Sequence, residues 1–442
     1  MCTSNLRQVF KRDLNKLITE VKAYSSEDKL WLTTEGISNC GGNLCLHLIG
    51  NLNTFISAEL GNSGYIRQRE LEFSQKNVPI TELISQIENT ILTVDSTLDK
   101  LSEKELNLEY PIITTKKHIL KYLDIQTPIV EVQEYLASNG HLRTNEQILA
   151  IEKPGEGNMN VVLRIKTNER SFILKQSRPF VQKYQQIEAP LNRIAVENQF
   201  YKTVQGDVLN EHIPTILAYD DTDHVLIMKD LGEGDDMTSL YKSRAIDTEI
   251  LKKLVQCLSL IHQNDVPSDF PDNLKMRQLN HQHIFVLPFE AQNGFELDDI
   301  QKGLQELSIS YKKDTAIRSV VDEIGKKYLS HGSTLLHGDY YPGSWLQEGE
   351  NLYIIDPEFG FSGFAEFDLG VMVAHMIMST ADENYLNTIH NLYEGAADKK
   401  LTSQVAGIEI MRRLIGLAQL PLERTIREKQ YLLELARKMI LS

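Results

Sequence analysis

Cysteine is scarce: four residues (Cys2, Cys40, Cys45 and Cys257) in a chain of 442 cannot build the disulfide framework of a small secreted fold. Basic residues are outnumbered, with 46 Lys and Arg against 61 Asp and Glu, for a formal net charge of -15. A nucleic-acid or anionic-membrane partner calls for a basic face, so neither is expected, and a small-molecule ligand is. No apolar run approaches the ~20 residues of a membrane-spanning helix. The first residues lack the apolar core of a signal peptide, so the expectation is a cytoplasmic chain. Internal repeats and low-complexity tracts are absent, and 41% hydrophobic with 24% charged residues is the composition of folded domains. What the chain does have is length, enough for two or three domains.

Up to about Glu109 the apolar spacing is helical. Phe10, Leu14, Leu17 and Val21 form one stripe, Leu44, Leu48, Leu52 and Phe55 a second, and Ile80, Leu83, Ile87, Ile91, Val94 and Leu98 a third. Stripes at i, i+3/i+4 and i+7 must bury against one another, which predicts an all-α bundle. A linker-like stretch from Asp124 to Val130, with Pro128, puts a domain boundary near residue 125. From Ile148 to Gln176 the period becomes that of strands: Asn160 to Ile165, a polar turn at Thr167 to Arg170, then Phe172 to Leu174. A helix follows over Leu191 to Val204 and a β-like run over Val225 to Met228; beyond Thr248 the chain is mostly helical. The expected design is α+β, a small sheet-rich lobe followed by a helical lobe.

Late in the chain two acidic groups end short apolar runs. Thr334 to Leu336 leads into His337-Gly338-Asp339, and Leu352 to Ile355 leads into Asp356-Pro357-Glu358. Buried carboxylates at strand ends are costly unless paired or metal-bound. Three of them are therefore expected to converge on a cation, the arrangement that phosphoryl transfer requires. Asp339 then accepts a hydroxyl proton, and Asp356 and Glu358 hold Mg²⁺. His337 could be a ligand, an acid or a scaffold residue that pins the loop; the scaffold role is favoured.

The nucleotide side follows in chain order. The turn Gly155 to Asn160, with Gly157 and Asn158, lies between strand candidates, where small residues let backbone amides approach ATP phosphates. Lys175 ends the next strand and would reach the α- and β-phosphates, with Glu197 on the following helix as its ion-pair partner. Leu226 to Leu231, including Met228, Asp230 and Leu231, has the look of a segment joining two lobes, whose backbone would pair with adenine. An ordinary buried strand entering a turn accounts for that segment equally well.

Gly157-Asn158-Met159-Asn160, Ile173-Leu174-Lys175-Gln176, Leu336-His337-Gly338-Asp339 with Gly343-Ser344, and Ile355-Asp356-Pro357-Glu358-Phe359 with Gly363 and Phe367-Asp368 resemble the methylthioribose kinases. That family lies in the aminoglycoside-phosphotransferase and choline-kinase branch of the protein-kinase-like fold. The resemblance covers roughly residues 130 to 442. It implies a bilobal kinase-like domain over 126–442, with a small lobe to about 231 and a helical lobe from about 232. It further implies ATP and Mg²⁺ as cofactors, Ser344 in the place of a metal-binding asparagine, and Arg412 and Arg413 as substrate contacts. The acceptor it implies is the 1-hydroxyl of 5-methylthioribose, and the assembly a homodimer. Tyr340, Tyr341 and Pro342 depart from the usual loop. They leave open another sugar, polyol, amino alcohol or aminoglycoside as acceptor, and also nucleotide binding without turnover.

Leu46-His47-Leu48-Ile49-Gly50-Asn51-Leu52, Gly64-Tyr65-Ile66-Arg67 and Glu72-Phe73 resemble the DinB-like four-helix bundles, which implies such a bundle over residues 1–125. Many members bind a divalent metal through three histidines. Here His47 matches the first, and Lys117 to Tyr122 stands as a remnant of the last helix, with Tyr122 in a histidine's place. The site looks broken, with His47 and His118 the residues left for a metal ion.

Overall fold

The protein is described by a computed structural model covering residues 2–33, 39–102, 122–155 and 159–442. It divides into two compact units, Met1–Ile119 and Leu120–Ser442. Among the described residues, no helix is long and apolar enough to cross a membrane.

In the first unit all described elements are helical. The longest are α1 (Cys2–Lys22), α2 (Gly41–Leu52) and α3 (Ile80–Lys100). Their core gathers Leu14, Ile18 and Val21 from α1, Cys45, Leu46 and Ile49 from α2, and Leu83 and Ile87 from α3. Of the stripes expected on α1 and α3, Leu14, Leu17 and Val21 and Ile80, Leu83, Ile87 and Ile91 face this core. On α2 the phase differs, because Leu44 and Leu48 are exposed and Cys45, Leu46 and Ile49 are buried. Apolar residues at 44, 45, 46, 48, 49 and 52 allow two helical phases, and tertiary packing selects the one that spacing alone does not.

The second unit opens with helix α4 (Ile129–Ser138) and the strands β1 (Ile148–Glu152), β2 (Val161–Thr167) and β3 (Ser171–Gln176). Helix α5 (Arg193–Thr203) follows, then β4 (Ile216–Asp220) and β5 (Val225–Lys229). The five strands form one antiparallel sheet in the order β1-β2-β3-β5-β4. Strand periodicity gives it two covered faces. Phe172, Leu174, Val225 and Ile227 pack on the α4 side, and Ile173, Leu226 and Met228 pack with Ile194 of α5. The expected hairpin is β2–β3; the strand at 216–220 carries no clear alternation and was not foreseen.

The remainder is a helical lobe with short strands at its mouth. Its longer helices are α6 (Thr248–His262), α7 (Thr315–Leu329), α8 (Glu366–Thr380), α9 (Lys399–Ile415) and α10 (Ile426–Leu441). Asp247, Asp314, Asp398 and Thr425 cap α6, α7, α9 and α10 by accepting first-turn N–H groups. Strand β6 (Asp235–Asp236) pairs with β8 (Trp345–Glu348), which forms a hairpin with β9 (Asn351–Ile354). Strand β7 (Thr334–Leu336) pairs with β10 (Phe361–Gly363). The two acidic motifs leave β7 and β9, which belong to different small sheets, and His337 of the first bonds to the Ile355 carbonyl just before the second.

Helices α9 and α10 approach closely at Gly407. A Cβ there would lie 2.6 Å from the Ala436 carbonyl oxygen and 2.8 Å from Ile440 Cγ1. We expect Gly407→Ala to overpack this contact and destabilise the second unit by about 1–3 kcal/mol. Denaturant unfolding measures this, and an unchanged midpoint would show that the helices do not pack at that point.

Candidate active site

Lys175 lies on the β3 face it shares with Ile173, looking toward α5 rather than into the α4 core. It is 2% exposed, and its Nζ sits 2.6 Å from Glu197 Oε2 and 2.8 Å from Asp356 Oδ1. Burial alone would lower the pKa of this ammonium, but Asp356, Glu197 and Glu358 outweigh it and raise the pKa. The lysine is therefore a fixed positive charge at the junction of the lobes.

One face of α5 supplies a second charge. Arg193 precedes Glu197 by four residues, one helical turn, and both side chains are completely buried. Arg193 Nε lies 3.2 Å from Glu358 Oε2 and donates to Asn160 Oδ1 at 2.8 Å, while Asn160 Nδ2 donates to Glu358 Oε2 at 2.9 Å. Burial raises the Glu358 pKa, against the pull of Lys175 and Arg193. The Asn160 side chain thus anchors Glu358 across the lobes, and Glu358 is drawn to Arg193 and Asn160. Among the described residues no three His, Cys, Asp or Glu side chains are grouped to hold a metal.

Asp356 is different. It is half-exposed and adopts a left-handed backbone conformation with φ of 64°. Non-glycine residues rarely accept that geometry, and where they do the surroundings hold them in it. The Tyr201 hydroxyl accepts the Asp356 N–H at 3.2 Å.

The Asp339 loop is fixed mainly through its backbone. Asp368, in the first turn of α8, accepts the His337 N–H at 2.7 Å and the Gly338 N–H at 3.0 Å, and lies 3.2 Å from His262 Nε2. Gly338 has φ of 84°, and a Cβ there would come within 2.3 Å of the Phe359 carbonyl oxygen. Glycine is thus required by backbone conformation and by space. His337 donates from Nε2 to the Ile355 carbonyl at 2.9 Å. That bond ties the Asp339 loop to the residue preceding Asp356, and burial lowers the imidazole pKa. His337 occupies the scaffold position. The Ser344 hydroxyl is buried and donates to the Asp339 carbonyl at 2.8 Å, bracing the loop.

Asp339 itself is partly buried, and burial raises its pKa against the opposing Arg413 and Arg412 charges. Arg413 Nη2 stands 3.4 Å from Asp339 Oδ1. Both arginines of the pair are buried, and both engage Glu409, at 2.9 Å from Arg412 Nη1 and 2.6 Å from Arg413 Nε. Successive helical residues point about 100° apart, and accordingly only Arg413 reaches Asp339. The Arg413 guanidinium also lies over the Tyr341 ring, 4.9 Å from its centroid.

Met228 is buried at the end of β5. The Asp230 carboxylate is engaged by Arg164, Ser171 and the Gly232 N–H. Gly157, Asn158 and His118 lie outside the described residues. His47 Nδ1 is 2.8 Å from Glu72 Oε2 and its Nε2 is 3.1 Å from the Asn51 amide nitrogen. Its ring is thus engaged in a polar network with Glu72 and Arg67. Sequence reasoning missed Arg193 and Glu409, although spacings of four from Glu197 and of three and four from the arginines mark both. It also missed the anchoring task of Asp368, which only tertiary contacts reveal.

The profile described as "Phosphotransferase enzyme family" matches residues 150–403. Similar sequences include a methylthioribose kinase of Bacillus cereus, 22% identical over 374 residues, covering 71% of this chain and 92% of that protein. Another, from a Geobacillus species, is 23% identical over 354 residues, covering 66% and 86%. Solved structures that align include choline kinase LicA from Streptococcus pneumoniae, at 14% identity and TM-score 0.41 over 70% of this chain and 98% of that one. A spectinomycin phosphotransferase in complex with ADP and spectinomycin aligns at 14% identity and TM-score 0.41, over 72% and 100%.

Both Asp368 oxygens accept hydrogen bonds, so an amide there would set one N–H against another. Asp368→Asn is expected to cost roughly 1.5–3 kcal/mol, read by thermal or denaturant unfolding; wild-type stability would refute this account of the loop.

Proposed function

This chain belongs to the phosphotransferase enzyme family, and on that premise we propose that it is an ATP-dependent kinase acting on the 1-hydroxyl of 5-methylthioribose. The observation that carries the reading is the Lys175–Glu197–Asp356 ion-pair set beside a loop that presents Asp339 to Arg413. Methylthioribose kinases that match over about 70% of the chain support the acceptor. An ATP-consuming sugar kinase also fits the cytoplasm.

In this reading Lys175 neutralises charge on the α- and β-phosphates, held in place by Glu197. Asp356, half-exposed beside it, would hold Mg²⁺ against the nucleotide; that ion, when bound, neutralises phosphate charge. Mg²⁺ is commonly bound by one or two carboxylates plus phosphates and water rather than by a complete protein cage, so a lone accessible Asp356 fits. Asp339 takes the proton of the acceptor hydroxyl as its oxygen bonds to the γ-phosphorus and the bond to ADP breaks. A carboxylate with a raised pKa accepts that proton more readily. Arg413, already beside Asp339, is placed to meet negative charge on the transferring group.

Another small alcohol is the second reading, favoured by the Tyr341 ring stacked against Arg413 on the acceptor side. ADP release across a panel of sugars, amino alcohols and aminoglycosides separates the two. Methylthioribose is expected to give the highest kcat/KM; preference for another alcohol would select the second reading, and no ADP release with any acceptor would overturn both. Asp339→Asn should lower kcat by on the order of 10²–10⁴ with nucleotide affinity nearly unchanged. Undiminished turnover in that variant would exclude Asp339 as the base.

A further inference from the structure

Arg413 reaches Asp339 from a long, rotatable side chain, so its aim is only as good as the fixing of its partners. Glu409 is the principal one, and Glu409 is itself held from the far side. His375 Nε2 lies 3.1 Å from Glu409 Oε1, and the Tyr241 hydroxyl lies 2.6 Å from His375 Nδ1. Tyr241 comes from the short helix Leu240–Ser243, His375 from α8 and Glu409 from α9. Tyr241 and His375 are 0% exposed and Glu409 1%, so these bonds do not compete with water.

The chemistry of each group fixes the direction of the chain. Burial alone would raise the Glu409 pKa, but Arg412, Arg413 and the His375 hydrogen bond hold it well below the usual carboxylate range. An ionised carboxylate only accepts, so His375 Nε2 must carry the hydrogen. Burial pushes the His375 pKa down to about 4, so the ring is neutral near pH 7. Nδ1 then has a lone pair and accepts the Tyr241 O–H. The Tyr341 ring, which packs on Arg413, also lies against His375 with centroids 5.0 Å apart. Helix α8 therefore contacts the base loop twice. Asp368 holds its backbone, and His375, seven residues and about two turns further on the same face, leads to its carboxylate. A core serving stability alone gains little from four linked buried polar groups, since well-packed apolar residues do as well or better.

We propose that His375, fixed in one tautomer by Tyr241, is a positioning residue for phosphoryl transfer: by donating to Glu409 it sets the Arg413 guanidinium against Asp339 and the phosphate that passes it. This rests on the kinase reading. The test uses the full-length chain with His375→Phe, His375→Gln and Tyr241→Phe, each with its unfolding midpoint recorded. His375→Phe keeps the ring and removes both nitrogens. It is expected to lower kcat on the order of tenfold or more, with KM for ATP within about twofold of wild type. His375→Gln returns an N–H to Glu409 and should recover most of the loss. Tyr241→Phe keeps the volume and should lower kcat by a few-fold without changing KM for ATP.

Wild-type kcat in His375→Phe, or a loss that His375→Gln does not relieve, would overturn the proposal while leaving an active kinase. Absence of ADP release from the unaltered chain would instead count against the kinase reading. Selective ¹⁵N-histidine NMR of the whole chain gives a readout independent of turnover. It should show a neutral Nε2–H imidazole that is perturbed in Tyr241→Phe and lost in both His375 variants; an Nδ1–H tautomer at that residue would sink the proposal.

Discussion

Lys175 is a buried ammonium from the sheet lobe whose two close partners come from different places: Glu197 from the helix behind the sheet and Asp356 from the helical lobe. Removing such a charge from water costs several kcal/mol, and only good geometry with opposite charges offsets it. Because Asp356 is one of those partners, the ion pair reaches across the lobe junction and couples the sheet to the strand end that carries the second acidic motif. The fully buried Arg193 makes the same crossing a few residues away, through Asn160 and Glu358. Most other features of the site keep these two crossings in register.

That constraint explains how the acidic side chains of the site can sit on loops and still be rigid. The Asp339 loop is held at its amides by Asp368, at its carbonyl by Ser344, and laterally by His337 reaching the Ile355 carbonyl. Each of these bonds satisfies a backbone group that burial would otherwise strand. Asp356 remains the half-exposed carboxylate, in a backbone conformation that its neighbours enforce.

Much of this was legible in the sequence because it follows local rules. Chain order and spacing paired Lys175 at a strand end with Glu197 on the next helix, and apolar runs ending in acidic residues located Asp339 and Asp356. A buried carboxylate needs a cation, and for Glu358 a guanidinium 165 residues earlier stands beside it, a contact that spacing does not announce. The contacts of Ser344 with the Asp339 carbonyl and of Asn160 with Glu358 were not legible either, because a short polar side chain can serve a distant backbone or carboxylate group. The buried face of α2 was ambiguous because two phases of the helix are both apolar. Spacing along one chain does not encode which distant element a side chain meets, and the anchoring by Asp368 and the link between Arg413 and Asp339 are contacts of that kind.

Helix α5 carries Arg193 and Glu197 on one turn, so the buried Lys175 and the Asn160–Glu358 clasp hang from a single rigid rod. Slipping that rod by one residue would swing both charges through about 100° and release the two crossings together. The two crossings thus share one mounting, like two teeth cut on a single key.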